Sequence, residues 1–231
     1  MKKILITGAS KGIGKSIALK LIDNNYIVIG LSRTHVIKHK NYFPAILDLS
    51  KPDNFKEEIN KILVKHKKID AVISNAGNGI FDNLENISEK DIEKYFHLNL
   101  ISHILISKYF VAHFKGNKQG QFIFMGSEAA EEATQKSTLY ASAKHGLLGF
   151  SKAFRAECNK SDIRVTIINP GMVRTSFFKN LKFKPGKSKK NAISKKDIAE
   201  LIIFLLNSSP FINYSDIKLS PIKKVIDFDP Y

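Results

Sequence analysis

A tyrosine and a lysine stand four residues apart in Tyr140-Ala141-Ser142-Ala143-Lys144, and Ser127 lies thirteen residues upstream of the tyrosine. On a helix, positions i and i+4 share a face, so the phenol and the ammonium point into one pocket. A free phenol titrates near about 10 and is a poor acid–base catalyst at neutral pH. A cation beside it favours the phenolate and lowers that pKa toward the working range. The spacing therefore predicts a Tyr140 whose pKa is lowered by Lys144. Ser127 follows Gln121-Phe122-Ile123-Phe124-Met125-Gly126, an apolar stretch that reads as a buried strand. Its hydroxyl is expected at a strand's carboxyl end, where open α/β sheets bind ligands.

These side chains need a frame, and the amino terminus begins it. Residues 2–7 form a short apolar run with β-branched members, followed at once by Thr7-Gly8-Ala9-Ser10-Lys11-Gly12-Ile13-Gly14 and a helix-periodic segment. Strand, glycine-rich turn and helix together let backbone N–H groups and a helix N-terminus hold a pyrophosphate. The glycines at 8, 12 and 14 depart from the commoner G-x-G-x-x-G spacing. Strand patterns recur at 3–7, 26–31, 45–47, 71–74, 121–125, 164–168 and 216–219, and helical patterns at 12–23, 54–65, 88–115, 139–159 and 195–206. Such alternation predicts an α/β fold, a Rossmann-like doubly wound parallel sheet of about seven strands with helices on both faces. No repeat or linker divides the 231 residues, which suit one domain burying about 70% of its unfolded surface.

In these segments the chain resembles the short-chain dehydrogenase/reductase family along nearly its whole length. Those that carry the likeness are Thr7-Gly8-x-x-x-Gly12-Ile13-Gly14, Leu47-Asp48-Leu49, Asn75-Ala76-Gly77, Asn99, Ser127, Tyr140-x-x-x-Lys144 and Asn169-Pro170-Gly171-Met172-Val173-Arg174-Thr175. The resemblance implies an enzyme that moves a hydride between a nicotinamide cofactor and a carbonyl compound or alcohol. It implies a tetrad: Tyr140 as proton donor or acceptor, Lys144 beside it and on the nicotinamide ribose, Ser127 on the substrate oxygen, and Asn99 on a water chain. It also implies a cofactor site formed by Gly8, Ser10, Lys11, Gly12, Ile13, Gly14, Asp48 (on the adenine amino group), Asn75, Ala76, Gly77, Pro170, Gly171, Val173 and Thr175.

The second strand ends Gly30-Leu31-Ser32-Arg33-Thr34, without the carboxylate that binds the ribose 2′-hydroxyl of NAD. Arg33 instead offers a planar donor fork to a 2′-phosphate. In the family, basic residues at Arg33 and Lys11 accompany NADP(H), which is favoured over NAD(H), and that choice suggests carbonyl reduction as the physiological direction. Family analogy also suggests a homodimer, with a tetramer left open, through the helical segments 88–115 and 139–159. The alternative on the same fold is a catalytically idle, NADP(H)-binding regulatory protein.

The substrate is less legible. Glu128 follows the serine and either faces the pocket or is solvated. Residues 176–194 form a short lysine-rich lid whose Phe177 and Phe178 suggest either an apolar or aromatic carbonyl compound or plain packing of the lid itself. The ending Ile217-Lys218-Leu219-Ser220-Pro221 lacks the glycine-rich tail of 3-oxoacyl-carrier-protein reductases, which argues against that activity. The net charge is +16, and eight lysines fall between Lys179 and Lys196. That is read as a solvated basic surface, with steering of an acidic substrate as the second choice, because no base-reading motif accompanies it. No nucleic-acid partner is expected. No apolar run reaches the about 18 residues of a membrane span, and the lone Cys158 suits a reducing cytoplasm. His35 and His39 are spaced i, i+4 without a third ligand, so no metal site is expected.

Overall fold

The computed structural model describes residues 1–228. Its centre is a seven-stranded parallel sheet. The strands are β1 (Lys3–Thr7), β2 (Ile27–Ser32), β3 (Tyr42–Ile46), β4 (Ala71–Ser74), β5 (Gly120–Met125), β6 (Ile163–Pro170) and, after three short strands outside the sheet, β10 (Asp216–Leu219). The spatial order is β10-β6-β5-β4-β1-β2-β3, so the winding reverses at β1 and β4. A crevice opens at the carboxyl ends of the strands where the winding reverses.

Central strands are apolar on both faces because helices cover both. Leu5, Phe122 and Phe124 point into one layer with Phe55, Ile59, Phe110, Phe114, Leu147 and Phe154. Their neighbours Ile4, Ile6 and Ile123 point into the other, with Ile17, Leu21, Ile198, Ile202 and Leu205. The first layer belongs to α2 (Phe55–His66), α4 (Ser102–Gly116) and α5 (Thr138–Cys158), and the second to α1 (Gly12–Asp23) and α6 (Lys195–Asn207). Successive strand residues point to opposite faces, which sorts one unbroken apolar run into two cores. Helix α6 starts on a capping box between Ser194 and Asp197.

Two expectations need adjustment. The third strand begins three residues earlier than the pattern suggested and includes Pro44. β3 lies at the sheet edge beside β2 alone, where a missing N–H is tolerated. The helix expected over 88–115 is broken into α3 (Glu89–Phe96), a π-helical turn His97–Ile101, and α4. Residues 176–194 are ordered by pairing: after β7 (Val173–Arg174) come a 3-10 turn (Ser176–Asn180), β8 (Phe183–Pro185) and β9 (Ile193–Ser194). β7 pairs with β9, and β8 pairs antiparallel with β11 (Ile226–Phe228) near the chain's end. No helix among the described residues is long and apolar enough to cross a membrane.

Candidate active site

The glycine turn is knotted to the end of β4 through one threonine. Buried Thr7 accepts hydrogen bonds at Oγ1 from the backbone N–H groups of Asn75 (2.9 Å) and Ala76 (2.8 Å), while Asn75 Nδ2 donates to the Thr7 carbonyl (2.9 Å). Thr7 opens the glycine motif, but spacing alone does not reveal this role. Gly8 adopts a φ of +72° and packs on Ala76. A Cβ on Gly14 would collide with the Gly8 carbonyl and lie 2.6 Å from Asn75 Nδ2. Close approach thus requires glycine at both positions. Gly12, at a φ of +58°, has open space where a Cβ would stand.

Helix α1 begins just after Lys11 with no side-chain cap and no acidic residue in its first turn. Gly12, Ile13 and Gly14 of its first turn line the cleft. An uncapped helix start behind an open glycine cradle fits the pyrophosphate of a dinucleotide. Beneath the turn, fully buried His103 bridges Ser74 Oγ (Nδ1, 2.7 Å) and the Ala76 carbonyl (Nε2, 3.0 Å). Burial, with help from nearby Lys144, holds its pKa at about 3, so it stays neutral.

One cleft of about 460 Å³ unites these groups. Its walls include every anticipated cofactor residue: Gly8, Ser10, Lys11, Gly12, Ile13, Gly14, Arg33, Asp48, Asn75, Ala76, Gly77, Tyr140, Lys144, Pro170, Gly171, Val173 and Thr175. Asn99, Ser127, Phe177 and Phe178 line it as well. Glu128 does not: its carboxylate pairs with Lys224 (3.2 Å) from the C-terminal segment, which also reaches Glu132 (3.4 Å). Asp48 Oδ1 accepts from Ser50 N (3.0 Å) and Oγ (2.7 Å). Burial would raise the Asp48 pKa, but the Ser50 bonds and the charges of Arg33 and Lys51 outweigh it and keep the carboxylate ionised.

Helix α5 brings Tyr140 and Lys144 to the far end of the cleft, with Lys144 Nζ 5.9 Å from the centre of the phenol ring. Tyr140 and Ser127 both line this part of the cleft, and the Ser127 N–H donates to Asn169 Oδ1 (3.2 Å). Lys144 is buried and donates to the Met125 carbonyl (3.0 Å). Here one expectation fails. Burial raises the Tyr140 pKa above its ordinary value, partly offset by the nearby Ser127 hydroxyl and reinforced by the charge of Glu128. Lys144, stripped of water, is itself pushed down to about 8. Desolvation dominates both groups, and the lowered phenol expected from their spacing is absent in the free protein.

Asn99 sits inside the π turn, fully buried. Its Nδ2 donates to Asn78 Oδ1 and to the Tyr95 carbonyl (both 3.0 Å), and its Oδ1 accepts from Asn78 N (3.0 Å). One acceptor lone pair of Oδ1 remains for water. Such π turns widen a helix locally and often occur at functional sites. Elsewhere, the segment holding His35 and His39 is not helical, so they share no helix face. His35 instead bridges Tyr42 Oη (3.0 Å) and the Ala45 carbonyl (3.1 Å). Cys158 is buried in the core.

Comparison with known proteins agrees with this arrangement. The family model described as short chain dehydrogenase matches residues 2–185. The chain belongs to the short-chain dehydrogenase/reductase family. Its activity is therefore that of an oxidoreductase working on CH–OH or C=O groups with a nicotinamide nucleotide. It is 33% identical over 217 residues to a 3-oxoacyl-(acyl-carrier-protein) reductase of Buchnera aphidicola subsp. Schizaphis graminum, covering 88% of this chain and 89% of the relative. The structure of an alcohol dehydrogenase from the archaeon Thermococcus sibiricus, complexed with 5-hydroxy-NADP, superposes with a TM-score of 0.84 at 28% identity, covering 96% of this chain and 97% of that one. A 3-ketoacyl-(acyl-carrier-protein) reductase from Brucella melitensis, solved with NADH, superposes with a TM-score of 0.82 over 97% of this chain and 98% of its own; at 20% identity it speaks to the fold alone.

Proposed function

We propose that this member of the family is an NADP(H)-dependent reductase that interconverts a small carbonyl compound and its alcohol, acting in the cytoplasm as a homodimer. The observation that carries the proposal is the convergence of Tyr140, Ser127 and buried Lys144 in the same cleft as the glycine turn. Arg33 and Lys11 both line the adenosine end, where the 2′-phosphate of NADP would need cations. Half-buried Leu105, Tyr109 and Phe150 supply an apolar surface on α4 and α5 for a second copy.

The nicotinamide, when bound, supplies the hydride that reaches the carbonyl carbon. The protein aligns the substrate and manages the proton. Tyr140 Oη donates its proton to the carbonyl oxygen as the new C–H bond forms, yielding the alcohol and the oxidised nucleotide. The raised pKa keeps Tyr140 protonated at neutral pH but makes it a weaker acid, so the transfer depends on the charge of Lys144 beside the phenolate that forms. Ser127 Oγ hydrogen-bonds the same oxygen and shares its developing charge. Lys144 holds a positive charge beside the phenolate left behind and would hydrogen-bond the ribose of a bound nicotinamide nucleotide. The free lone pair of Asn99 binds water that returns the proton to Tyr140. The Gly12, Ile13 and Gly14 N–H groups would hold the pyrophosphate, and Asp48 would accept from the adenine amino group.

The test is to titrate the protein with NADPH and NADH, then follow NADPH oxidation against a broad panel of ketones and aldehydes. Tight NADPH binding and turnover that disappears in Tyr140→Phe are expected. NADPH binding without turnover of any carbonyl would refute the reductase, and preference for NADH would refute the roles of Arg33 and Lys11.

A further inference from the structure

The reductase reading leaves open what the carbonyl carries, and the rings around Tyr140 bear on that. Phe81, in the loop beyond the Asn75–Ala76–Gly77 turn, places its ring centre 5.1 Å from Tyr140, 6.3 Å from Phe177 and 4.9 Å from Phe183. Phe177 lies 5.9 Å from Tyr140 and 5.2 Å from Phe178, which in turn lies 5.8 Å from Phe183. Three parts of the fold thus contribute five rings: the loop gives Phe81, α5 gives Tyr140, and the lid gives Phe177, Phe178 and Phe183.

The seam between body and lid therefore closes against the proposed proton donor. Phe177 and Phe178 line the cleft, and Phe81 and Phe183 back them. The backbone is shaped to admit this closure. A Cβ on Gly79 would stand 2.5 Å from Phe81 Cε2 and 2.5 Å from Phe177 Cζ, so both rings converge on a residue without a side chain. Strand β11 holds the lid from behind, with Phe228 opposite Phe183 in register.

A substrate whose oxygen meets Tyr140 and Ser127 has its substituent against this seam. The Phe81 contacts with Phe177 and Phe183 are edge-to-face, at interplanar angles of 85° and 83°. An inserted flat ring can re-form contacts of that kind, whereas a saturated group parts the rings without replacing them. We infer that the seam is the substrate-recognition surface, that the carbonyl compound bears an aryl or similarly flat apolar group, and that Phe81 determines this preference. The inference rests on the reductase reading.

Acetophenone and cyclohexyl methyl ketone test it: one six-membered ring is flat and conjugated with the carbonyl, the other is puckered and saturated, and comparing their ratio between variants cancels the intrinsic difference in reactivity. Wild type, Phe81→Leu and Phe81→Tyr would each be assayed with NADPH for kcat and KM on both ketones, alongside NADPH affinity and thermal midpoint. Wild type is expected to favour acetophenone. Phe81→Leu should cut the acetophenone-to-cyclohexyl ratio of kcat/KM about 10-fold, mainly through KM, and Phe81→Tyr should restore it. NADPH affinity should not change, which separates recognition from a general loss of structure. An equal ratio in wild type and Phe81→Leu overturns the seam assignment and leaves the reductase standing. So does turnover confined to non-aromatic carbonyls of the wider panel. Turnover of no carbonyl at all overturns both.

Discussion

Replacing Lys144 with methionine should remove a group that destabilises the fold. The side chain is buried, and loss of water holds its pKa at about 8 instead of the ordinary 10.5. Between those values the unfolded chain binds the proton and the folded one does not, so stability rises with pH through that window. Below about 8 both states are protonated and the whole penalty is present. The difference corresponds to about 3 kcal/mol. Against it stands the hydrogen bond to the Met125 carbonyl, whose loss costs about 1–3 kcal/mol. Lys144→Met should therefore be as stable as wild type at about pH 7, or more stable by up to about 2 kcal/mol. Raising the pH to about 9.5 should erode that margin by about 2 kcal/mol, because wild type gains stability there and the variant does not. Urea unfolding of both proteins at the two pH values measures the margin directly, and taking the difference cancels the tyrosines, which also titrate in alkali. A margin that is the same at both pH values would refute the claim that Lys144 is held down by burial.

Four other perturbations address the site. Tyr140→Phe should lower turnover by about 100-fold to 10,000-fold while NADPH affinity stays within a few-fold, checked by steady-state kinetics and calorimetry. Arg33→Ala should weaken NADPH about 10-fold to 100-fold and leave NADH nearly unchanged; equal losses for both nucleotides would count against a 2′-phosphate contact. Gly14→Ala, driven into the Gly8 carbonyl and Asn75, should cost about 1–3 kcal/mol in denaturant unfolding and weaken both nucleotides together. Ending the chain at Pro221 removes β11 and the Lys224 pairs with Glu128 and Glu132. Because β11 lies outside the main sheet, the thermal midpoint should move only a few degrees, while substrate KM rises as the lid loses its support.

Much of this was legible in the residues because it depends on local order. The seven main strands follow from apolar runs, and the glycine turn from its own spacing and the helix that starts behind it. Arg33 announced itself at the end of β2, where a carboxylate would ordinarily stand. Other features left no local trace. The π turn at Asn99 interrupts a pattern that reads as one continuous helix, because helical periodicity tolerates a single inserted residue. Thr7 carries two backbone bonds from the turn that follows β4, a partnership between residues 68 and 69 positions apart. Glu128 was placed at the pocket or in solvent, and its partner proved to be Lys224, from a segment with no recognisable motif.

The identity and order of the chemical groups were thus set by sequence alone: a phenol, an ammonium and a hydroxyl at helix and strand spacing, behind a phosphate-sized glycine turn. Their ionisation was decided by tertiary structure. Spacing places a cation near Tyr140, but packing also withdraws water from both, and desolvation acts on the charged form of each. The same is true of the substrate wall. Phe81 lies 59 residues before Tyr140 and 96 before Phe177, and only folding brings the three rings together. Backbone pattern is a local property of the chain, whereas burial and ring contact are properties of what the rest of the molecule places alongside it.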